Sequence, residues 1–225
     1  MKLVSVNVSL PREVNANGTT VRTGIFKQPV EGRVQVRRLN LDGDAQGDLS
    51  VHGGPDKAVY AYSFDHYDYW TKKLGRHDLP PGQFGENFTV EGMTEEEVFL
   101  GDVFRIGEAL VEVSQPRLPC FKLALKMGDP KFPKQFLASG RLGFYLRVLE
   151  EGAVGAGDEI TRVSTDPERL TIAEVAKLAS EEKGNRELAR RALRVPALAT
   201  AWREWLEERL GERGETKHDP GASER

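Results

Sequence analysis

The only cysteine of the chain, Cys120, stands in the stretch Val113-Ser114-Gln115-Pro116-Arg117-Leu118-Pro119-Cys120-Phe121-Lys122-Leu123. Val111 and Val113 alternate with Glu112 and Ser114, the period-two pattern of a half-buried strand. Pro116 and Pro119 then break the strand and stiffen a short loop. Phe121, Leu123, Ala124 and Leu125 follow without a breaker until Gly128-Asp129-Pro130, so a short helix is expected to begin near Cys120. A thiol at a helix N-terminus feels the positive end of the backbone dipole, and Arg117 and Lys122 are close in sequence. Each effect favours thiolate over thiol. The stretch alone leaves a second reading open, a buried structural cysteine, because free Cys is among the most buried residue types.

Four polar clusters lie in the first 150 residues, each at a strand end or turn. They are Thr23, Gly24 and Lys27; His52-Gly53-Gly54 with Asp56 and Lys57; Gln83-Phe84-Gly85-Glu86-Asn87-Phe88; and Gln115-Pro116-Arg117 with Cys120 and Lys122. Glycine pairs let backbone N–H groups approach an anion, and Lys or Arg neutralise it. Cys120 with His52 makes a nucleophile–base pair conceivable, with Asn87 as the only arguable third member. A zinc site needs several His or Cys ligands, and one cysteine and four histidines without close spacing do not supply them. His66 and His77 read as structural or surface residues. No Gly-rich stretch sits between a strand and a long helix, so no dinucleotide or P-loop fingerprint is present.

The elements that must position these clusters read as many short strands. Val4, Val6 and Val8 mark the first, residues 23–30 another, and Arg33 to Leu41 a further alternation through Val34, Val36 and Leu39. Residues 42–47 form a turn, and a strand begins near Val51 and runs on through Tyr62. Close spacing with turn signals predicts an all-β barrel or sandwich. Asp65 to Leu74 interrupts it as an aromatic-rich helix ended by Gly75, whose aromatics read as core. Two matching turns, Val98 to Val103 and Val154 to Ile160, each place a Gly-Asp pair before an apolar strand, with Gly free to take positive φ and Asp bonding local backbone.

After Thr165 the pattern turns helical. Thr171 and Glu174 fit a capping box, opening a helix that stops near Gly184. Asn185 caps a second helix that ends before Pro196. A third runs from about Ala197 to Leu210, with Leu198, Trp202, Trp205, Leu206 and Leu210 on one face, and Gly211 stops it. Nine basic and nine acidic residues lie between Asp166 and Gly211, so the module lacks the basic face that nucleic-acid binding requires. Residues 212–225 are charged and breaker-rich and are expected to be disordered. At 225 residues and a formal charge of -3, the chain has the composition of a globular protein. It has no apolar run long enough for a signal peptide or membrane span and no second cysteine for a disulfide. The expected location is the cytoplasm.

Three ordered motifs, Val51 to Tyr60, Gly82 to Phe88 and Ser114 to Leu123, with the helical appendage and the Gly152 to Asp158 turn, closely resemble the MOSC-domain family. Within it the chain is similar to the bacterial 6-hydroxylaminopurine reductase branch, over about residues 1 to 211. The resemblance implies a mainly β fold: a MOSC-type β-barrel with a few short helices (1–163), a small three-helix domain (164–211) and a tail (212–225). It also implies a molybdenum cofactor (molybdopterin), with Cys120 as metal ligand and catalytic group. Lys27, His52, Lys57, Arg117 and Lys122 would cradle the cofactor's phosphate, and Asn87 and Gln115 would bond the pterin or the substrate amine. A thiolate is a soft donor that must be deprotonated to bind metal. The implied reaction is detoxifying reduction of N-hydroxylated purines or amines to amines. With no flavin or nicotinamide motif in the chain, the electrons would come from a separate flavoprotein. Docking of that partner, closure of the pocket and support of a homodimer remain open for the helices. The rival reading is a cofactor or sulfur carrier that uses a Cys120 persulfide or thiolate.

Overall fold

The computed structural model describes residues 1–16, 18–46, 53–180 and 184–211. In chain order these form β1 (Lys2–Val8), β2 (Arg12–Ala16), β3 (Thr19–Thr23), β4 (Gln28–Pro29), β5 (Arg33–Val36), β6 (Val59–Ser63), α1 (Tyr67–Leu74), β7 (Phe88–Glu91), β8 (Val103–Ile106), β9 (Ala109–Pro116), α2 (Phe121–Met127), α3 (Phe132–Ala138), β10 (Phe144–Glu150), β11 (Gly152–Gly155), β12 (Ile160–Ser164), α4 (Ile172–Lys177), α5 (Arg186–Arg194) and α6 (Thr200–Leu210).

Eight strands pair in the order β12-β8-β9-β10-β6-β7-β1-β4, beside a β5–β11 ribbon and a β2–β3 hairpin. The sheet curls on itself. Leu3 N donates to Asp158 O at 2.9 Å, Gly157 N to Leu3 O at 2.7 Å and Ile160 N to Met1 O at 3.0 Å. Thus β1 also bonds the turn before β12, and closure of this kind removes exposed edges. β6 and β7 are parallel. A parallel pair needs a crossover, and α1 lies in it. Inward residues such as Leu3, Val6, Phe88, Phe104, Val111, Val113, Phe144 and Leu146 fill the interior. A second, aromatic cluster of Tyr62, Trp70, Phe84, Phe132 and Phe136 packs under α1, α2 and α3.

The matching turns are the same device. Gly101 and Gly157 take φ of 82° and 97°, and Asp102 and Asp158 each accept from a backbone N–H three residues earlier, Phe99 and Gly155. In the C-terminal part the Thr171–Glu174 capping box, the Asn185 cap and the left-handed Gly211 all appear where the residue types placed them. Leu198, Trp202, Trp205, Leu206 and Leu210 are buried in the same hydrophobic cluster as the barrel.

Several expectations need correction. The strand expected over 23–30 is broken: β3 ends at Thr23 and only Gln28–Pro29 pair again. A Cβ on Gly24 would stand 2.4 Å from Ala45 O, so the chain there runs tight against the 44–46 turn rather than in a ladder. The alternation from Arg33 stops at Val36. Arg37 N then donates to Asn40 O, turning the chain so that Leu41 bridges back to Val36, and Leu39 is 54% exposed. Between Gly53 and Val59 the expected strand is a 3-10 turn, Pro55–Lys57, and β6 starts only after it. The β2–β3 hairpin and α3 were not foreseen. The expected strand start at Val51 and the site residue His52, the end of the 42–47 turn at Gly47, and the tail 212–225 lie outside the described residues.

Candidate functional site

Cys120 is the N-cap of α2. Its backbone is extended (φ -117°, ψ 173°), and its C=O accepts from Leu123 N at 3.0 Å. The loop that brings it there leaves β9 at Pro116, and Gly128 in the left-handed region ends the helix. The residue is only 5% exposed, yet it lines a cavity of about 100 Å³ together with residues from each polar cluster. Thr23, Gly24 and Lys27 come from the chain after β3, Gly53 and Lys57 from the turn before β6, Gly85 and Asn87 from the turn before β7, and Arg117 and Lys122 from the cysteine segment. Tyr60, Tyr145, Asp44 and Gln46 complete the polar wall.

Among the described lining residues, four side chains are cationic (Lys27, Lys57, Arg117, Lys122) and one is a carboxylate, Asp44. Asp44 is fully engaged. Its Oδ1 accepts from Lys27 Nζ at 2.5 Å and from Ser9 N at 2.9 Å, and its Oδ2 accepts from Asn87 Nδ2 at 2.9 Å. Burial pushes the Lys27 pKa down, against the opposing pull of Asp44. The Arg117 guanidinium lies over the rings of Tyr60 and Phe136, 5.3 Å from each centroid, and Lys57 Nζ lies 5.8 Å from the Tyr145 ring.

Asn87 reaches the cavity, but its amide holds the scaffold together. Oδ1 accepts from Tyr60 N at 3.1 Å, and Nδ2 serves Asp44 and Asn7 O. Gln115 stands opposite Tyr145 on β10 and not on the cavity wall, and its buried Oε1 has no hydrogen-bond partner among the described residues. Glu86, also from the third cluster, is buried with its pKa raised by desolvation. It accepts from the Tyr67 hydroxyl, Gly82 N at 2.7 Å, Phe84 N at 3.0 Å and Thr89 Oγ1 at 3.0 Å, fixing the turn that carries Gly85. A Cβ on Gly85, at φ 86°, would meet Ile25 Cγ1 at 2.8 Å, so the two walls meet only over glycine.

Sequence reasoning missed Asp44, Tyr60, Tyr145 and Lys126. Lys126 Nζ donates to Gly82 O at 2.5 Å, Ile25 O at 3.1 Å and Lys27 O at 3.4 Å, tying α2 to two walls of the cavity. Its signal was present, since it follows Lys122 by four residues and so shares a helix face. His66, read as structural, is buried with Nε2 2.6 Å from Glu95. Cys120 also borders a second, mainly apolar groove, lined by Val21, Pro119, Phe121, Ala124, Leu125 and Pro133 among others. Among the described residues no three His, Cys, Asp or Glu side chains come together to hold a metal ion. No described helix is long and apolar enough to cross a membrane.

A barrel with one cysteine at the edge of a cationic cavity, followed by three packed helices, defines a MOSC protein. The sequence matches the MOSC domain over residues 48–161 and the YiiM-like, 3-alpha helix domain over 170–212, and the chain belongs to this family. It is 41% identical over 201 residues to YflK of Bacillus subtilis, covering 89% of this chain and 90% of that one. Against protein YiiM of Escherichia coli it is 34% identical over 190 residues, covering 83% and 84%. A protein of Gibberella moniliformis named "Reductase" is 33% identical over 171 residues, which cover 72% of this chain and 29% of that longer one. The crystal structure of YiiM from Geobacillus stearothermophilus superposes with a TM-score of 0.79 at 37% identity, covering 93% of this chain and 98% of that one.

Proposed function

We propose that the protein is a molybdenum-cofactor-dependent reductase that converts N-hydroxylated bases or amines, of the 6-hydroxylaminopurine type, to amines in the cytoplasm. The observation that carries this reading is a single soft sulfur donor set beside a cavity whose described lining holds four cations and one already engaged carboxylate. That donor set suits a pterin cofactor bearing a phosphate: Lys27, Lys57, Arg117 and Lys122 would hold the anion, and Cys120 would ligate the metal as thiolate. When bound, such a cofactor supplies the two-electron reduction that removes a hydroxyl oxygen as water.

The chain supplies binding, orientation and dryness. The cations attract the phosphate in a site where burial strengthens each interaction. Asn87, locked by Tyr60 N and Asp44, keeps the wall rigid. The apolar groove on the other side of Cys120 receives the flat face of the base. Electrons come from a separate flavoprotein. The second reading, a cofactor or sulfur carrier, rests on the same cysteine lying buried at a cavity.

The test is expression with ample molybdate in a host that makes the cofactor, followed by metal and pterin analysis of the parent and Cys120→Ala. About one molybdenum per chain in the parent, lost in the variant, is expected when the thiolate is a ligand, with hydroxylaminopurine reduction following the same pattern. Parent protein free of both metal and pterin refutes the reductase. A mass increase of one sulfur on Cys120 would favour the carrier.

A further inference from the structure

We propose that Asp56 is a positioning residue through which the C-terminal helices set Lys57 in the cavity wall. On this view the helical module braces the site. The inference rests on the reading of that cavity as an anion site.

Lys57 and Gly53 enter the cavity wall from a segment with no strand pairing before Val59. Its internal order is one 3-10 turn, closed by Lys57 N donating to Gly54 O at 3.1 Å. Among the described contacts, the neighbour of Lys57 ties this segment to the rest of the fold. The backbone O of Asp56 accepts from Ser114 Oγ at 2.6 Å on β9. Its Oδ1 accepts from Arg147 Nε at 2.9 Å and Nη2 at 2.6 Å on β10. Its Oδ2 accepts from Thr200 N, the first residue of α6, at 2.9 Å.

The last bond explains a gap in α6. Its N-cap is Ala199, which makes no side-chain cap, although the first turn of a helix leaves N–H groups that need acceptors. Asp56 supplies that acceptor, and its charge, from 144 residues away in sequence. Arg147 continues the connection, donating to Glu112 at 2.6 Å and to Ala197 O at 3.2 Å, while Ala199 N donates to Ser114 O at 3.0 Å. Asp56 and Arg147 keep side-chain exposures of 19% and 24%, so these charge-assisted bonds are only partly screened. Adjacent residues of a 3-10 turn point about 120° apart. Holding Asp56 on the helices therefore sends Lys57 the other way, over Tyr145. Coupling of this kind is reciprocal: an anion that engages Lys57 also steadies the start of α6.

Thr200→Pro breaks the bond. Proline is well tolerated at the first helical position, and Ala199 at φ -53° and ψ 141° already has the backbone that precedes a proline. The N–H that reaches Asp56 is lost with the threonine side chain, and the ring Cδ takes the direction of that N–H, so the carboxylate must move away. Two readings are taken on the full chain: inorganic phosphate affinity by calorimetry, and amide hydrogen exchange at residues 57–59. Thr200→Pro and Asp56→Ala are expected to speed that exchange and to weaken phosphate binding about fivefold, the low end of typical site-to-site coupling. The double variant Asp56→Ala/Lys57→Ala should bind phosphate like Lys57→Ala alone, because Asp56 acts through Lys57. Unchanged exchange in Thr200→Pro, or effects of Asp56 and Lys57 that multiply, would overturn the brace. A parent that binds no phosphate would overturn the anion cavity instead, and the exchange reading would still decide the brace.

Discussion

Replacing Lys126 by methionine tests how α2 is anchored to the cavity. Its ammonium donates to three carbonyls, those of Ile25, Lys27 and Gly82. Around it stand Glu86, Lys27, Arg12 and, at 6.0 Å, the ring of Phe26. Burial, opposed by Glu86, lowers its pKa from 10.5 to about 8. A group with a depressed pKa binds its proton more weakly in the fold than in the unfolded chain. Stability therefore rises with pH between about 8 and 10.5, and that gain is lost as pH falls back through 8. At ~1.4 kcal/mol per pKa unit, the full swing is about 3 kcal/mol, a ceiling that residual solvent contact lowers. Methionine does not titrate, and every other group titrates in both proteins. The stability of the parent minus that of Lys126→Met should thus climb by on the order of 1–3 kcal/mol across this window. Urea unfolding of both proteins in parallel buffers from neutral to alkaline pH reads the difference directly. A difference that stays flat refutes the argument that Lys126 is held charged at neutral pH against a burial penalty.

Two further perturbations follow from the packing. Trp70 is fully buried, stacks on Phe136 at 5.5 Å, meets Phe132 at 5.0 Å and donates to the Tyr62 hydroxyl at 2.6 Å. Trp70→Ala should lower the unfolding free energy by about 3–5 kcal/mol, and a loss below ~1 kcal/mol in urea titration would contradict the cluster as a keystone of the site's floor. Gly143 sits at φ 71°, and an added Cβ would stand 2.4 Å from Ala61 O. Its N–H donates to Glu95 Oε1 at 2.5 Å and its C=O accepts from Arg117 N at 3.1 Å. Gly143→Ala should therefore cost upwards of ~2 kcal/mol and also weaken phosphate binding through Arg117, whereas wild-type stability and affinity would show that the backbone yields there.

The parts of this architecture that were legible in the sequence are those governed by local rules. The capping box at Thr171–Glu174, the Asn185 cap and the Gly-Asp turns depend on residues three apart, and each formed as its residue types required. Cys120 at the head of a short helix was legible for the same reason. The resemblance brought the four polar clusters to one place, and the structure shows Lys27, Lys57, Asn87, Arg117 and Lys122 lining one cavity. What could not be read were long-range partners. Nothing local marks Asp44 as the acceptor for Lys27 and Asn87, or Asp56 as the cap of a helix 144 residues later. Nor does the alternation of Val34, Val36 and Leu39 reveal that the chain turns back at Asn40, because the pattern persists while the backbone hydrogen bond is made locally. Gln115 is the opposite case: its motif placed it with the site, yet it is absent from the described cavity lining although its cross-strand partner Tyr145 is part of it.

Buried cations need compensation, and aromatic rings supply part of it around this cavity. A carboxylate beside each lysine or arginine would stabilise it but would also cancel the field an incoming anion must feel. Arg117 lies over Tyr60 and Phe136, and Lys57 lies over Tyr145. Aromatic faces attract a cation by roughly 0.5–2 kcal/mol while carrying no net charge, so these contacts do not themselves subtract from the positive potential. Asp44 is the one carboxylate among the described lining residues, and its position accounts for it. Two of its bonds go to Ser9 N and Asn87 and one to Lys27, so this carboxylate serves to join the chain just after β1, the 44–46 segment and the segment before β7. The rings of Tyr60, Phe136 and Tyr145 thus serve twice, packing within or against the aromatic cluster and facing the cations Arg117 and Lys57 at the cavity.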